Sequence, residues 1–81
     1  MTGHINRHGW IVLSSVESED RLFCVDFFQD PRGGFGFELF RSDPEDGGIW
    51  TRTSRFGGVR YDTLQDAVDS AHSSIPWLRE G

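Results

Sequence analysis

Two alternating segments joined by a short turn constrain the fold of this chain most. Residues 21–29 and 35–41 each carry apolar side chains at every second position, which is the period of a half-buried β-strand. Residues 30–34, which lie between them, contain Pro31, whose ring presets φ, and two glycines, which supply positive φ. The sequence therefore predicts an antiparallel β-hairpin.

The length of that turn also predicts which residues of the hairpin lie opposite each other. If residues 30–34 form the whole turn, Gln29 lies opposite Phe35 and Val25 lies opposite Leu39. One face then carries six large apolar side chains: Phe23, Val25, Phe27, Phe35, Phe37 and Leu39. No other predicted face is as apolar, so we expect this one to hold the core.

The hairpin extends into a four-stranded sheet in this interpretation. Residues 10–16 form an apolar run that predicts a strand before it, connected by the charged residues 17–20. Residues 49–56 are rich in β-branched and aromatic residues and predict a fourth strand. A brief pairing at residues 59–61 follows before the chain turns into a helix.

A single helix near the end of the sequence completes the predicted fold. Asp62 or Thr63 can cap it, and an apolar stripe recurs at helical spacing along one side. The stripe consists of Leu64, Ala67, Val68, Ala71 and Ile75. Pro76 ends the helix, and Trp77 and Leu78 are expected to fold back onto the core. The predicted class is α+β: a four-stranded antiparallel meander with one C-terminal helix packed on one face, in the order ββββα.

Composition limits the domain organisation and the kinds of partner. The 81 residues suffice for one small domain, with residues 1–8 expected to be a disordered polar segment. The formal net charge of −5 disfavours binding to a polyanion. Cys24 is the only cysteine, so neither a disulfide framework nor a cysteine-rich zinc site is possible. Neither a signal-peptide pattern nor an apolar run of membrane-spanning length is present, so we expect a cytoplasmic protein without membrane contact.

A short stretch within the hairpin resembles a motif that binds RNA. Residues 32–40 resemble the aromatic octapeptide of the RNA-recognition motif, through Gly34, Phe35, Gly36, Phe37 and Phe40. The resemblance implies that Phe35 and Phe37 stack on bases. That family has a helix between its first two strands, however, whereas residues 17–20 are too few for a crossover of about ten residues or more. We therefore predict that Phe35 and Phe37 belong to the core and do not assign the chain to that family.

The face of the sheet turned away from the helix is the predicted functional surface. If residues 42–48 form the second turn, Phe40 lies opposite Trp50 and Glu38 lies opposite Arg52. Leu22, Cys24 and Phe28 share this face, and Asp26 lies opposite Glu38, where two carboxylates repel unless Arg52 neutralises them. The candidate binding residues are Phe40, Trp50, Arg52, Glu38 and Asp26.

Several functions for this surface remain open from the sequence. An apolar patch left uncovered on a small domain favours a homodimer or another protein partner, unless Trp10, Trp77 and the termini cover it. The alternative from another class is single-stranded nucleic-acid binding, with Trp50 and Phe40 stacking on bases. Its phosphate contacts would come from Arg32, Arg41, Arg52 and Arg55.

The sequence offers no constellation of residues typical of catalysis. His4 and His8 lie in the polar N-terminal segment, His72 lies on the predicted helix, and no base adjoins a serine or Cys24. Asp26 and Glu38 are a carboxylate pair, but acid–base chemistry also requires a cleft and a substrate pose. We therefore expect a non-enzymatic protein without a cofactor or a metal ion.

Overall fold

The chain folds as an antiparallel sheet whose strands follow one another in sequence order. The computed structural model of the chain describes residues 4–5, 9–47 and 49–80. Its sheet contains five strands in the order β1-β2-β3-β4-β5. They are β1 (His4–Ile5), β2 (Ile11–Glu17), β3 (Phe23–Gln29), β4 (Phe35–Ser42) and β5 (Trp50–Arg52), followed by the helices α1 (Leu64–Ser74) and α2 (Pro76–Glu80).

The predicted α+β fold with four strands and a C-terminal helix is confirmed by β2–β5 and α1. Strand β1 adds a short fifth strand, in which His4 pairs with Val12 and Ile5 pairs with Ile11. These two residues fall within the segment predicted to be disordered, whose residues 1–3 and 6–8 lie outside the described residues. The predicted brief pairing before the helix is present as a bridge between Phe35 and Tyr61.

The β3–β4 hairpin has the predicted register because its turn is closed by Asp30. The Asp30 N–H donates to the Gly34 carbonyl at 2.9 Å, while the Asp30 carboxylate accepts from the amides of Arg32 and Gly34 at 2.9 and 3.0 Å. Gly33 has a φ of 91°, which a glycine adopts without strain. Gln29 consequently lies opposite Phe35 and Phe27 opposite Phe37.

The core lies between this hairpin and the helices, as predicted. The buried cluster consists of Val25, Phe27, Phe37, Leu39, Ala67, Ala71, Ile75 and Leu78. Phe35 is half-buried against the cluster and Phe37 is almost completely buried, so the aromatic residues of the RNA-binding resemblance are used for folding. Their packing within and against this cluster confirms the interpretation drawn from the hairpin register.

Helix α1 begins and ends where the sequence predicts. Thr63 is the N-cap residue, and its hydroxyl accepts a hydrogen bond from the Asp66 amide at 3.1 Å. The helix ends at Ser74, before Pro76, which starts the short helix α2. Leu78 in α2 is buried in the core, which confirms that the C-terminal segment folds back onto it.

The register predicted between the third and fourth strands of the meander is wrong by two residues. Phe40 lies opposite Arg52 and Ser42 lies opposite Trp50, because β4 continues to Ser42 before the chain turns. A short 3₁₀ helix (Pro44–Asp46) then forms, capped by the Asp43 carboxylate and closed by Gly47 with a φ of 74°. A shift of two residues keeps every side chain on its predicted face. The fourth predicted strand, residues 49–56, is reduced to β5.

Strand β2 contains an irregularity that determines which of its side chains face away from α1. Its pairing with β3 shifts between Val12 and Ser14, so Leu13 is an extra residue in a β-bulge. Val12 then lies opposite Phe28, and Ser15 lies opposite Asp26. We call the side of the sheet that carries Phe28, Asp26 and Glu38, away from α1, the second face.

Candidate functional site

One half of the second face is covered from within the chain. The Trp10 indole stacks on the Phe28 ring, with 3.8 Å between the ring centroids and an angle of 4° between the planes. The guanidinium groups of Arg52 and Arg60 lie 4.9 and 5.6 Å from the Trp10 ring centroid, within the range of cation–π attraction. Trp10 and Phe28 are both buried as a result. Trp77, by contrast, packs against the core on the helix side.

Glu38 is a buried structural carboxylate rather than an exposed binding residue, which corrects its predicted place on an open surface. Its side chain has no exposed area. Its Oε2 accepts from the Arg52 Nε at 2.9 Å and from the Gly57 amide at 2.9 Å. Its Oε1 accepts from the amides of Leu39 at 3.0 Å and Phe56 at 3.2 Å. A buried carboxylate with this many donors is compensated for the loss of its hydration.

These bonds give Glu38 a recognisable role. They attach the segment of residues 53–60, which we call the covering loop, to the edge of β4 beyond the end of β5. Gly57 lies so close that a Cβ atom there would be 2.6 Å from the Arg52 Nη2 and 3.1 Å from the Trp10 ring. Arg52 is therefore held inside the molecule by Glu38, and the predicted neutralisation of this carboxylate is present as a diagonal contact.

Asp26 is a half-buried neighbour of Glu38 on the second face. Its Oδ1 accepts from the Ser15 hydroxyl at 2.6 Å and from the Cys24 thiol at 3.5 Å. Burial, and after it the nearby Asp26 carboxylate, raises the pKa of the Cys24 thiol to about 12. Cys24 therefore lacks the lowered pKa and the exposure that are typical of reactive cysteines.

The other half of the second face is open and apolar. Leu22 and Trp50 are 37% and 39% exposed, and Phe40 is half-buried. Ser42 lies between the first two, because it is opposite Trp50 and its amide donates to the Leu22 carbonyl at 2.8 Å. We call Leu22, Phe40 and Trp50 the apolar patch. Ile49, the residue before Trp50, is 67% exposed.

Opposite charges flank β5, the strand that carries Trp50. The turn before β5 holds the acidic residues Asp43 and Glu45. On the helix side, Arg41 and Arg55 line a cavity of about 480 Å³ with the apolar side chains of Phe23 and Leu39. Both arginines are exposed, and among the described residues neither has an ion-pair partner. The surroundings of β5 therefore carry charged side chains of both signs.

A second cavity, of about 370 Å³, lies at the β2–β3 turn beside α2 and is acidic. It is lined by Glu17, Glu19 and Asp20 together with apolar side chains of α2. Asp20 is used for the turn, since it accepts from the Ser18 hydroxyl at 2.6 Å and from the Leu22 amide at 3.0 Å. The Ser18 bond, and then the Leu22 bond, lower the pKa of Asp20. These hydrogen bonds stabilise the β2–β3 turn.

The described residues contain no group of three His, Cys, Asp or Glu side chains placed to hold a metal ion. His72 is exposed on α1, and the predictions about His4 and His8 concern side chains outside the described part of the chain. No helix in the described ranges has both the length and the apolar character needed to cross a membrane.

Of the five predicted binding residues, the structure leaves Trp50 and Phe40 facing outward and uses the other three in internal contacts. The sequence indicated Trp10 as one of the residues that could cover the second face, which the structure confirms for half of that face, but it did not predict the covering loop. The position of Trp10 agrees with strand alternation, because it lies two positions before Val12, which is opposite Phe28. No comparable signal exists for the loop, whose path depends on Ser54, with a φ of 61°, and on the close approach of Gly57.

Comparisons of the chain with protein-family models, with curated proteins and with solved structures found no match.

Proposed function

We propose that the protein is a non-catalytic assembly module that self-associates through the apolar patch on the second face. The observation that carries this proposal is that Leu22, Phe40 and Trp50 stay outside the region that Trp10 and the covering loop bury. A chain that covers half of a sheet face and leaves large apolar side chains on the rest gains free energy when a partner removes them from water.

A second copy of the chain is the partner that the charges favour. In a two-fold dimer each surface meets its own image, so a patch flanked by both signs of charge is self-complementary. The acidic residues Asp43 and Glu45 lie before β5, and Arg55 lies after it. A two-fold axis through β5 therefore brings each acidic turn towards an arginine of the other copy. A partner whose surface carries only one sign of charge would place like charges opposite either the acidic turn or Arg55.

Single-stranded nucleic acid is less favoured as the ligand of the same surface. Trp50 is available for stacking, but Arg52 is bonded to Glu38 and Arg60 is bonded to Asp30 at 2.6 Å. The remaining exposed arginines act against a net charge of −5, which opposes the approach of a polyanion.

Sedimentation equilibrium over a wide range of protein concentration tests the proposal. We expect the average mass of the wild type to rise towards that of a dimer, and Trp50→Ser to weaken association at least tenfold. Val59→Ser is the matched control, because Val59 is also an exposed apolar residue, 49% accessible, and lies in the covering loop outside the patch.

A wild type that stays monomeric at millimolar concentration would refute self-association, as would equal effects of the two substitutions. A titration of the intrinsic tryptophan fluorescence with an oligothymidylate at low salt examines the nucleic-acid alternative. Saturable binding by a monomer would replace the present proposal, whereas a flat titration together with a dimer supports it.

A further inference from the structure

We infer that two copies of the chain join edge to edge through β5, antiparallel, with Thr51 facing its own symmetry mate across a two-fold axis. The two sheets then become one continuous sheet, and the Trp50 end of each apolar patch is the part that the second copy removes from water. This inference rests on the proposed self-association and specifies its geometry. It follows from the direction of the backbone groups on β5.

The hydrogen bonds of β4 determine which groups of β5 point outward. The Thr53 amide donates to the Leu39 carbonyl at 3.0 Å, so these opposed residues form a hydrogen-bonded pair. Such pairs alternate along antiparallel strands, and Thr51, opposite Arg41, is therefore bonded to β4 as well. The N–H and C=O groups of Trp50 and Arg52 consequently point away from the sheet. No described residue bonds to them.

These four outward groups determine the register with a second copy. An antiparallel neighbour must place outward groups opposite outward groups, so any shift by one residue is excluded. Pairing Trp50 with Arg52 of the second copy, and Arg52 with its Trp50, satisfies all of them. A shift by two residues would leave Arg52, or in the other direction Trp50, beyond the end of the partner's strand. Thr51 is then opposite itself in a non-hydrogen-bonded pair.

The side chains agree with this register. Trp50 is on the second face, so the indoles of the two copies lie diagonally across the new strand pair, at a separation that aromatic side chains can span. The acidic turn before one β5 lies near the end of the other, where Arg55 is located. β5 is an exposed edge strand in the described structure, and pairing with a second copy removes that unpaired edge.

Disulfide trapping tests the register directly. We would introduce Thr51→Cys into a Cys24→Ala background and oxidise it at a concentration where sedimentation shows a dimer. Cα atoms of a non-hydrogen-bonded pair are about 4.5 Å apart, which is within the range of about 4.4–6.8 Å that a disulfide spans. We expect rapid conversion to a covalent dimer with unchanged circular dichroism.

Ile49→Cys in the same background is the matched control. Ile49 is 67% exposed, so random collisions would oxidise it at least as fast. In the proposed register the two copies of residue 49 are four positions apart along the strands, about 13 Å, which is beyond disulfide reach. Crosslinking at residue 49 that equals or exceeds crosslinking at residue 51 would overturn the register.

A second pair of variants tests how much the backbone hydrogen bonds of β5 contribute to association. Trp50→Ala and Trp50→Pro both remove the indole, but only proline also removes the outward N–H group. An edge strand tolerates proline at such a position, so the monomer should still fold. Symmetry doubles the loss, so we expect the proline variant to associate at least tenfold more weakly than the alanine variant. Equal association of two folded variants would contradict pairing through β5.

The outcomes separate the inference from the function on which it depends. If sedimentation shows no dimer, self-association itself is wrong. If dimers form but Thr51→Cys is not trapped and the proline variant associates as the alanine variant does, the apolar patch is used without the edge. Only the register proposed here is then refuted.

Discussion

The substitution Glu38→Gln tests whether the buried carboxylate holds the covering loop. The amide keeps the shape of the side chain, but it replaces one carboxylate oxygen by a donor group. If that group takes the place of Oε2, it faces the Arg52 Nε and the Gly57 amide, which both donate to this oxygen at 2.9 Å. The Gly57 amide is buried, and leaving it unsatisfied costs about 1–3 kcal/mol.

The lost ion pair adds less to this cost. The Arg52 side chain is 28% exposed, so water compensates for part of the missing partner, and about 1 kcal/mol is a reasonable contribution. The expected total is about 2–4 kcal/mol. Small domains are stable by about 0.05–0.15 kcal/mol per residue, or about 4–12 kcal/mol for a chain of this length. The substitution therefore removes a large fraction of the stability without creating a cavity.

Urea unfolding, followed by tryptophan fluorescence and by circular dichroism, measures this loss. With a slope of about 1 kcal/mol per molar urea for a small domain, the urea concentration at the midpoint of unfolding should fall by about 2 M or more. Glu45→Gln is the control, since Glu45 is exposed and its side chain accepts no hydrogen bond from a described residue. If the two glutamine variants differ by less than about 0.5 kcal/mol, Glu38 does not hold the loop.

Three further predictions concern stability. Gly57→Ala should lower the free energy of unfolding by about 1–3 kcal/mol, because its Cβ would intrude on the buried ion pair; thermal unfolding should show Gly58→Ala, where the Cβ meets nothing, to be milder. Because burial raises the pKa of Cys24 to about 12, the unfolded chain releases this proton first, and wild type should lose stability relative to Cys24→Ala between pH 9 and 10 by roughly 1 kcal/mol. The hydrogen bond from Arg60 lowers the pKa of Asp30, so its stabilisation is complete above the unfolded pKa and is lost as pH falls through the folded one. When urea unfolding is measured from pH 5 to pH 2, the free energy of unfolding of Asp30→Asn should therefore fall less steeply than that of the wild type. Equal falls in the two proteins would contradict this role of Asp30.

The sequence predicted the elements whose geometry is determined locally. The β3–β4 register followed from a turn in which Asp30 and the glycines leave little choice of loop length. The helix followed from its cap and its apolar stripe. The register of β5 could not be derived in this way, because Ser42 can either end a strand or begin a turn. The choice between them depends on the Asp43 cap and on Gly47.

For the candidate site, the sequence predicted which face each side chain lies on but not which side chains are exposed. Strand alternation placed Glu38 and Trp50 on the second face correctly, since alternation requires only the sheet. Their exposure depends on residues far away in sequence: Trp10 arrives from the N-terminal side and the covering loop arrives from beyond β5. Trp10 could be named as a possible cover, but no local pattern in the covering loop indicates where it packs, and so the burial of Glu38 was not predicted.

Different contacts cover the two faces of the sheet, and we therefore expect the second face to open locally before the whole domain unfolds. The helix side is closed by a continuous core, whereas the part of the covering loop around Gly57 is held by hydrogen bonds to the Glu38 carboxylate, between the contacts of Phe56 with Phe37 and of Arg60 with Asp30. We expect the amides of Phe56 and Gly57 to exchange with deuterium through a local opening, long before those of β3 and β4. Each such opening uncovers the stacked rings beneath the loop and joins them to the apolar patch. The tendency of the chain to aggregate should therefore follow the opening rate of this loop and not its global unfolding.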